Sequence, residues 1–265
     1  MEKLNILIIV NFTINLFLTC CLIGIFYLAL KPKILVKKLM NMTSTTTDYS
    51  NDPLVETFKM DNANFTTNIG VNTPTEIDDA ERILIFVPGG SFVHSDIDLA
   101  FTKKLPFVSY SFDYPVWPDV SVDDMVTSVK NAVAYIISLN QNKKITLIGH
   151  SAGAYLATAC SSDITVNSQI DSVILFNGYF GSNSATSRVS YFFDKIYLKT
   201  RPLVTPAQKL IISSGKSDPL LPCTEWFASF SNITPQIYPG GHGMIYEDEP
   251  LEIIIPDVLN FINSL

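Results

Sequence analysis

The chain has 265 residues, of which 47% are hydrophobic and 16% are charged. This length and balance predict one sizeable domain with a full core, and they exclude a disordered or fibrous protein. Five of the 18 Lys and Arg residues and one of the 25 Asp and Glu residues precede residue 39, so the rest of the chain has a net charge of −11. That charge argues against a nucleic-acid partner.

The first long apolar segment, residues 6–30, contains no charged residue and would extend about 37 Å as a helix. Its second half is apolar almost throughout, and a basic stretch follows directly. We therefore expect residues 1–38 to form a membrane anchor, a transmembrane helix with its basic flank. A cleaved signal peptide is the alternative, but the segment is longer than usual for one and no small-x-small cleavage site precedes Lys31.

The lysines around this segment indicate its orientation. Four lysines follow it, against one lysine and the terminal amine before it, and this difference favours a cytosolic location for the rest of the chain. We expect a single-pass membrane protein on this basis. Residues 39–51 are polar and without periodicity, which predicts a flexible tether, and the folded domain is expected to cover residues 52–265.

Six short segments of the domain predict β-strands. They are nearly continuous in apolar residues, as strands covered on both faces must be. They span residues 82–87, 106–112, 145–149, 172–177, 209–214 and, more weakly, 235–238. Helices are predicted to begin at Val122, Ser151 and Pro256, the first with Ser121 as its N-cap and Asp124 as the capping partner. Strands that alternate with helices indicate an α/β protein with a doubly wound, mostly parallel sheet.

Residues 149–153 (GHSAG) lie where a buried strand meets a helix. Small residues are needed there because the sharp turn forces its serine into a strained backbone conformation. Ser151 would then stand at the carboxyl edge of the sheet, where a nucleophile is expected. The simpler interpretation is a serine that only caps the helix.

A serine nucleophile needs a base, and the base needs a carboxylate that holds it in the correct tautomer. Of the three histidines, His242 lies in a loop between the last strand and the last helix, whereas His150 should point away from the serine. Asp218 directly follows a predicted strand, at the edge where it would approach His242. The order Ser151, Asp218, His242 is that of the α/β-hydrolase fold, and it predicts a catalytic triad.

The loop after the first strong strand carries two glycines, Gly89 and Gly90, which allow the backbone to approach a substrate closely. Such a loop supplies backbone amides to an oxyanion hole, the group of donors that stabilises negative charge during acyl transfer. A further amide is expected from Ala152, directly after the serine. An ordinary glycine turn is the alternative interpretation of this loop.

Together these motifs resemble the hormone-sensitive-lipase-like esterases of the α/β-hydrolase fold, which include arylacetamide and steryl deacetylases. Residues 88–96 (PGGSFVHSD) are similar to that family's HGGGF motif, GHSAG to its elbow, SDPL to its acid motif and HG to its histidine motif. The resemblance implies that the oxyanion amides are those of Gly90, Ser91 and Ala152. The chain departs from the family at Pro88, where the family has His, and at Ser91, where it has a third Gly.

The sequence therefore predicts a membrane-anchored serine carboxylesterase or deacetylase that hydrolyses short-acyl esters of hydrophobic alcohols. The segment available for a cap, residues 178–207, is short and rich in aromatic residues, which suits a small hydrophobic ester substrate. One alternative is an amidase that resembles kynurenine formamidases and uses the same triad. Another, from a different class, is a catalytically silent binding protein with a hydrolase fold.

The cysteines add little to this prediction. None of the four has metal-ligand spacing, and no glycine-rich phosphate loop is present, so neither a metal nor a cofactor is expected. Cys160 and Cys223 are interpreted as buried thiols, with a disulfide between them as the alternative.

The predicted anchor can be tested on the full-length protein in isolated membranes. High salt and alkaline carbonate remove peripheral proteins but leave a spanning helix in place, because that helix is buried in hydrocarbon. The protein should stay in the membrane pellet after both washes, as followed by immunoblotting. Release by carbonate would show that residues 1–38 are cleaved or bind the membrane only peripherally.

Overall fold

The structure is a computed structural model, and it describes residues 55–61, 66–163, 168–180 and 209–265. The predicted anchor, the predicted tether and the greater part of the predicted cap lie outside these residues and stay predictions. In the part of the chain that is described, no helix combines the length and the apolar character that a membrane crossing requires.

The described residues form one sheet of eight strands, in the spatial order β1-β2-β4-β3-β5-β6-β7-β8. In chain order the strands are β1 (Val55–Asp61), β2 (Thr66–Asn72), β3 (Arg82–Val87), β4 (Val108–Phe112), β5 (Lys144–His150), β6 (Ile170–Phe176), β7 (Lys209–Gly215) and β8 (Gln236–Tyr238). Strand β2 runs antiparallel to both of its neighbours, and the other pairs are parallel. The predicted doubly wound, mostly parallel sheet is confirmed, and β1 and β2 are additions to it.

Helices cover both faces of this sheet. The α-helices of the described residues are α1 (Val122–Leu139), α2 (Ala152–Ser161), α3 (Leu221–Ser231) and α4 (Asp248–Asn263). Buried side chains of α1, α2 and α3 belong to one hydrophobic core, and those of α4 belong to a second. Strand β3 serves both cores, since Ile83 and Ile85 join the first while Leu84 and Phe86 join the second. Burial on both faces explains why its sequence is continuously apolar.

Helix α1 begins at its predicted cap. Ser121 Oγ accepts a hydrogen bond from the backbone N–H of Asp124 at 3.1 Å, and the Asp124 carboxylate accepts one from the backbone N–H of Ser121 at 3.1 Å. This reciprocal capping box satisfies two donors that the first turn of the helix would otherwise leave without partners. Helix α2 likewise begins directly after Ser151, one residue beyond its predicted start.

The predicted start of the last helix is wrong. Helix α4 begins at Asp248, so Pro256 lies in its interior instead of its first turn. An interior proline removes a backbone hydrogen bond and costs about 3 kcal/mol. The helix continues through it because Leu251, Ile254 and Val258, spaced by three and four residues, are buried in the second core.

Cys160 and Cys223 are both buried thiols, as predicted, and they do not form a disulfide. Burial raises the pKa of the Cys160 thiol to about 12. Because the thiolate is the reactive form, this group is unreactive at neutral pH in the folded protein.

The capping box predicts a measurable loss of stability in Ser121→Ala. Removing the cap leaves N–H groups of the first turn of α1 without a partner, and the free energy of unfolding should fall by about 1 kcal/mol. Ser138→Ala is the matched control, because Ser138 is exposed on the same helix and its hydroxyl only bonds to the Tyr135 carbonyl. Urea unfolding should show little change in that control, and equal losses in the two variants would contradict the capping role.

Candidate active site

Ser151 lies between β5 and α2 in a strained backbone conformation. Its φ and ψ angles are 57° and −121°, outside the regions that L-residues usually adopt. The space around it is tight, because a Cβ on Gly149 would lie 2.6 Å from the carbonyl oxygen of Gly153, and a Cβ on Gly153 would lie 2.1 Å from that of Val87. The strand, the turn and the helix are thus packed too closely for side chains at either glycine, and this packing holds the serine at the carboxyl edge of the sheet.

His242 and Asp218 approach the serine from the loops that follow β8 and β7. His242 Nε2 lies 2.8 Å from Ser151 Oγ, and His242 Nδ1 lies 3.1 Å from Asp218 Oδ1. In the tautomer that carries its proton on Nδ1, the imidazole donates to the carboxylate and accepts from the serine hydroxyl. The structure therefore brings together the three residues that the sequence analysis grouped in a triad.

The Asp218 carboxylate is buried and has other donors besides the imidazole. Its Oδ1 accepts from the backbone N–H of Leu220 at 2.8 Å, and its Oδ2 accepts from the hydroxyl of Ser214 at 3.4 Å. A buried carboxylate needs such donors, because its charge would otherwise be costly away from water. They also fix the orientation in which Oδ1 faces His242.

The main chain of His242 is held by two side chains. Its carbonyl oxygen accepts from Asn177 Nδ2 at 2.7 Å and from His150 Nε2 at 2.9 Å. Asn177 Nδ2 also lies 3.0 Å from the Gly241 carbonyl oxygen, and Asn177 Oδ1 accepts from the backbone N–H of Gly215 at 3.1 Å. Asn177, which follows β6, thus connects the end of β7 to the loop that carries the histidine.

Neither Asn177 nor His150 was assigned a role from the sequence. The available signal at Asn177 was an asparagine directly after a buried strand, where its φ of 51° is one that asparagine adopts more readily than most residues. His150 does point away from the serine hydroxyl, but its partner is the main chain of His242. Burial, together with the nearby His242, lowers the pKa of His150 to about 3, so this imidazole is neutral near pH 7.

Three of the four residues predicted for the oxyanion hole, Gly89, Ser91 and Ala152, lie near the serine. Ser91 and Ala152 line a pocket of about 160 Å³ together with Ser151 and His242. Gly89 lies against the elbow, since a Cβ there would be 3.0 Å from the Ser151 Cβ. Ala152 is the first residue of α2, where a backbone N–H has no acceptor within the helix. The pocket therefore offers a helix N-terminus beside the serine, the kind of donor that an oxyanion requires.

The loop after β3 has an unusual main-chain conformation. Three consecutive residues have a positive φ: 122° at Gly90, 54° at Ser91 and 63° at Phe92. Gly90 cannot be replaced without distortion, because a Cβ there would lie 2.0 Å from the carbonyl oxygen of His94. For Ser91 and Phe92 the left-handed conformation costs roughly 1–2 kcal/mol each. The surrounding structure must therefore hold this loop in place.

Hydrogen bonds from residues 113–118 hold the loop. The buried Tyr114 hydroxyl donates to the carbonyl oxygen of Pro88 at 2.8 Å and lies 3.4 Å from that of Gly89. The backbone N–H of Trp117 donates to the carbonyl oxygen of Phe92 at 2.9 Å. Burial raises the pKa of Tyr114, so its phenol stays protonated and can donate. The loop is thus fixed by its neighbours, although Pro88 stands where the similar family has histidine.

Apolar side chains complete the pocket: Phe92, Tyr179, Pro219 and Leu220. Of the predicted cap, Tyr179 and Phe180 are described, and both are buried. Phe180 stacks on Phe227 of α3, with ring centroids 4.1 Å apart, so it packs the start of the cap onto the first core. The other aromatic residues of the predicted cap lie outside the described ranges.

Polar residues elsewhere do not form a metal site in the described part of the chain. No group of three or more His, Cys, Asp or Glu side chains there is arranged to hold a metal ion. The third histidine, His94, has its Nε2 2.8 Å from Asp96 Oδ2.

Solved structures share this architecture over most of the chain. An esterase from Pyrobaculum calidifontis has a TM-score of 0.65 at 15% identity, covering 87% of this chain and 91% of its own. A fungal esterase from Rhizomucor miehei has a TM-score of 0.65 at 16% identity, covering 87% and 90%. The carboxylesterase EstE1, cloned from a metagenomic library, has a TM-score of 0.65 at 14% identity, covering 89% and 97%. The chain has the α/β-hydrolase fold.

The expectation drawn from the sequence motifs is therefore confirmed at the level of the α/β-hydrolase fold. No protein-family model matches the sequence, and no curated protein matches it either. Ser151, Asp218 and His242 follow β5, β7 and β8 in the structure, and this order of serine, acid and histidine along the chain is typical of the fold.

Because the fold lowers the pKa of His150, we expect the free energy of unfolding to fall in acid. A histidine in an unfolded chain has a pKa of about 6.5, and the fold lowers the pKa of His150 to about 3. Between these two values the unfolded state binds the extra proton. The contribution of His150 to the free energy of unfolding is therefore fully present above pH 6.5. It falls by up to about 1.4 kcal/mol per pH unit as the pH drops toward 3.

The measurement is urea unfolding at a series of pH values between 7 and about 4. The His150→Gln variant has no imidazole at this position, so its free energy of unfolding should fall less steeply than that of the wild type. Parallel curves for the two proteins would contradict the buried neutral state of His150.

Proposed function

We propose that this protein is a serine hydrolase that cleaves carboxylic esters, with Ser151 as nucleophile, His242 as base and Asp218 as the orienting acid. The observation that carries the proposal is the continuous hydrogen-bonded path from the Ser151 hydroxyl through both nitrogens of His242 to Asp218. A serine that only caps a helix has no need of such a path. The names of the structural neighbours, which are esterases, support the same activity.

The reaction follows from these positions. Ser151 Oγ attacks the ester carbonyl carbon while its proton passes to His242 Nε2. The oxygen of the tetrahedral intermediate becomes an anion, and the backbone N–H groups of Gly90, Ser91 and Ala152 stabilise it. The intermediate collapses as the alcohol leaves with the proton from His242, and water then repeats the sequence to release the acid. Asp218 keeps the imidazole in its tautomer and stabilises the imidazolium.

We infer that the substrate has a short acyl chain and a hydrophobic alcohol. The pocket beside Ser151 has a volume of about 160 Å³ and is lined largely by apolar side chains. Sites that enclose drug-sized ligands usually have volumes of about 300–1,000 Å³, so this pocket accommodates only one small group. An acetyl to butyryl chain suits it, and the larger alcohol would extend out of the pocket. Deacetylases of hydrophobic alcohols act on this class of ester.

An amidase that uses the same triad is the second candidate. The observation that favours it is Ser91, which lines the pocket. It stands where the hormone-sensitive-lipase-like family, which the motifs resemble, has a third glycine. Rates on a phenyl acetate and on an N-formyl arylamine of similar size would separate the two activities. A binding protein without activity is the remaining candidate, but it would not require three aligned triad residues.

The expected cellular setting is a further part of the proposal. The apolar segment and its basic flank support a membrane-anchored enzyme whose catalytic domain faces the cytosol. A hydrophobic ester dissolved in the membrane would then be close to the active site.

The nucleophile can be tested by covalent labelling with a serine-reactive fluorophosphonate. The wild-type protein should be labelled at Ser151, and Ser151→Ala should take no label. Ser138→Ala, a serine exposed on α1, should be labelled like the wild type and serves as control. His242→Ala should lose nearly all ester turnover, and Asp218→Asn should lose about 10⁴-fold because it disturbs the tautomer without removing the base. Label retained in Ser151→Ala would refute the assignment.

The size of the pocket predicts the dependence on acyl length. Each methylene that enters an apolar pocket contributes about 0.8 kcal/mol, or about fourfold, until the space is filled. Among p-nitrophenyl esters of two to sixteen carbons, acetyl to butyryl should be hydrolysed fastest, and chains beyond about eight carbons should react poorly. Leu220→Ala enlarges the pocket and should move the optimum to longer chains. An optimum at twelve carbons or more in the wild type would favour a true lipase.

A further inference from the structure

We propose that His150, the second residue of the GHSAG motif, is a positioning residue. It holds the base loop, residues 239–243 with His242, in place beside the oxyanion loop, residues 88–96. It acts through His242 and does not take part in proton transfer. The inference rests on the proposed function, because His242 is a base only if Ser151 is the nucleophile.

The ring of His150 contacts three segments of the site. Its Nε2–H donates to the carbonyl oxygen of His242 at 2.9 Å, and the two imidazole centroids are 5.2 Å apart. The ring of Tyr246 packs edge-on against it at 5.4 Å and 88°. On the side of the oxyanion loop, a Cβ on Gly89 would lie 3.2 Å from His150 Nδ1. One buried ring therefore fills the space between the two loops that the reaction must keep aligned.

A second connection joins the chain after the base loop to the chain after the oxyanion loop. Tyr246 lies in a short 3₁₀ helix, Met244–Tyr246, directly after the base loop, and its hydroxyl donates to Asp98 Oδ2 at 2.5 Å. Asp98 belongs to the chain that continues from the oxyanion loop. His150 thus packs beside the hydrogen bond between Tyr246 and Asp98. Loss of its ring would disturb both the base loop and the oxyanion loop.

The chemistry of the imidazole suits this position. A cation this close to His242 would oppose the transfer of the serine proton, because two positive imidazoles would then repel each other. Burial keeps His150 neutral near pH 7, with its pKa lowered to about 3. A neutral imidazole with its proton on Nε2 still donates a hydrogen bond. His150 therefore supplies a rigid donor without adding a charge to the site.

His150 shares its task with Asn177. Both side chains donate to the carbonyl oxygen of His242, at 2.9 and 2.7 Å, and a carbonyl oxygen has two lone pairs to accept them. The two donors come from different strand ends, His150 from β5 and Asn177 from the residue after β6. Either one alone fixes one direction of the peptide, and the two together fix its orientation.

The test compares two substitutions of His150 in the full-length protein, one without and one with a hydrogen-bond donor. His150→Phe keeps an aromatic ring but has no donor, whereas His150→Gln places an amide nitrogen at about the distance of Nε2. With p-nitrophenyl acetate, His150→Phe should lower kcat about 10- to 100-fold and leave KM within about twofold, because small displacements of a catalytic group have effects of this size. His150→Gln should recover most of kcat.

Asn177→Ala extends the comparison to a double-mutant cycle. Because the two donors share one acceptor, the double variant His150→Phe/Asn177→Ala should lose more than the product of the two single losses. A wild-type kcat in His150→Phe would overturn the inference. An equal loss in His150→Gln and His150→Phe would overturn it as well, since the donor would then be irrelevant. If His150→Phe does not fold, His150→Asn replaces it, because its shorter side chain does not reach the His242 carbonyl.

Hydrogen exchange of the base loop gives a readout that does not depend on activity. Amide exchange in residues 239–247, the base loop together with the 3₁₀ helix after it, should become faster in His150→Phe and stay near the wild-type rate in His150→Gln. Mass spectrometry follows this exchange. If the wild-type protein shows neither ester turnover nor fluorophosphonate labelling, the proposed function fails, and the exchange rates still decide whether His150 holds the loop. Unchanged exchange in His150→Phe overturns the inference even in an active esterase.

Discussion

The close contact between the start of helix α2 and the end of strand β3 is the constraint on which the site depends. At Gly153 a single Cβ would lie 2.1 Å from the carbonyl oxygen of Val87, so the helix approaches the sheet at backbone distance. This approach forces the turn at Ser151 into its positive φ and directs the N-terminus of α2 toward the pocket. One packing contact thus determines where both the serine and the Ala152 amide stand.

The other parts of the site are arranged around this fixed point by neighbouring strand ends. Strands β6, β7 and β8 are parallel and adjacent, so the loops after them emerge at the same edge as Ser151. Asn177 binds these loops together through main-chain groups, at Gly215 on one side and at His242 on the other. The alignment of the acid with the base therefore relies on contacts between a few polar side chains and the main chain of these loops.

The sequence predicts those parts of the molecule that depend on local patterns. The central strands are recognisable because burial on both faces requires continuous apolar residues. The capping box at Ser121 indicates the start of helix α1. Strand β1 was missed because it lies at the edge of the sheet, where the exposed residues Glu56 and Lys59 interrupt the apolar pattern. Strand β2 was missed because polar residues such as Thr67 and Asn72 occupy buried positions in it. The start of α4 was predicted too late because a proline often marks the first turn of a helix. Only the fold shows the core contact that keeps Pro256 inside the helix. Contacts such as that of His150 join residues 92 positions apart and leave no local signal.

The buried thiols have a consequence for following the protein in solution. Cys160 and Cys223 both belong to the core beneath α1, α2 and α3. An alkylating reagent needs a thiolate, and the pKa of about 12 at Cys160 leaves almost none while this core is closed. Exposure to water would return that thiol to the reactivity of an ordinary cysteine. The rate at which Cys160 is alkylated thus reports how often this core opens, so the chain carries a built-in probe of its own unfolding.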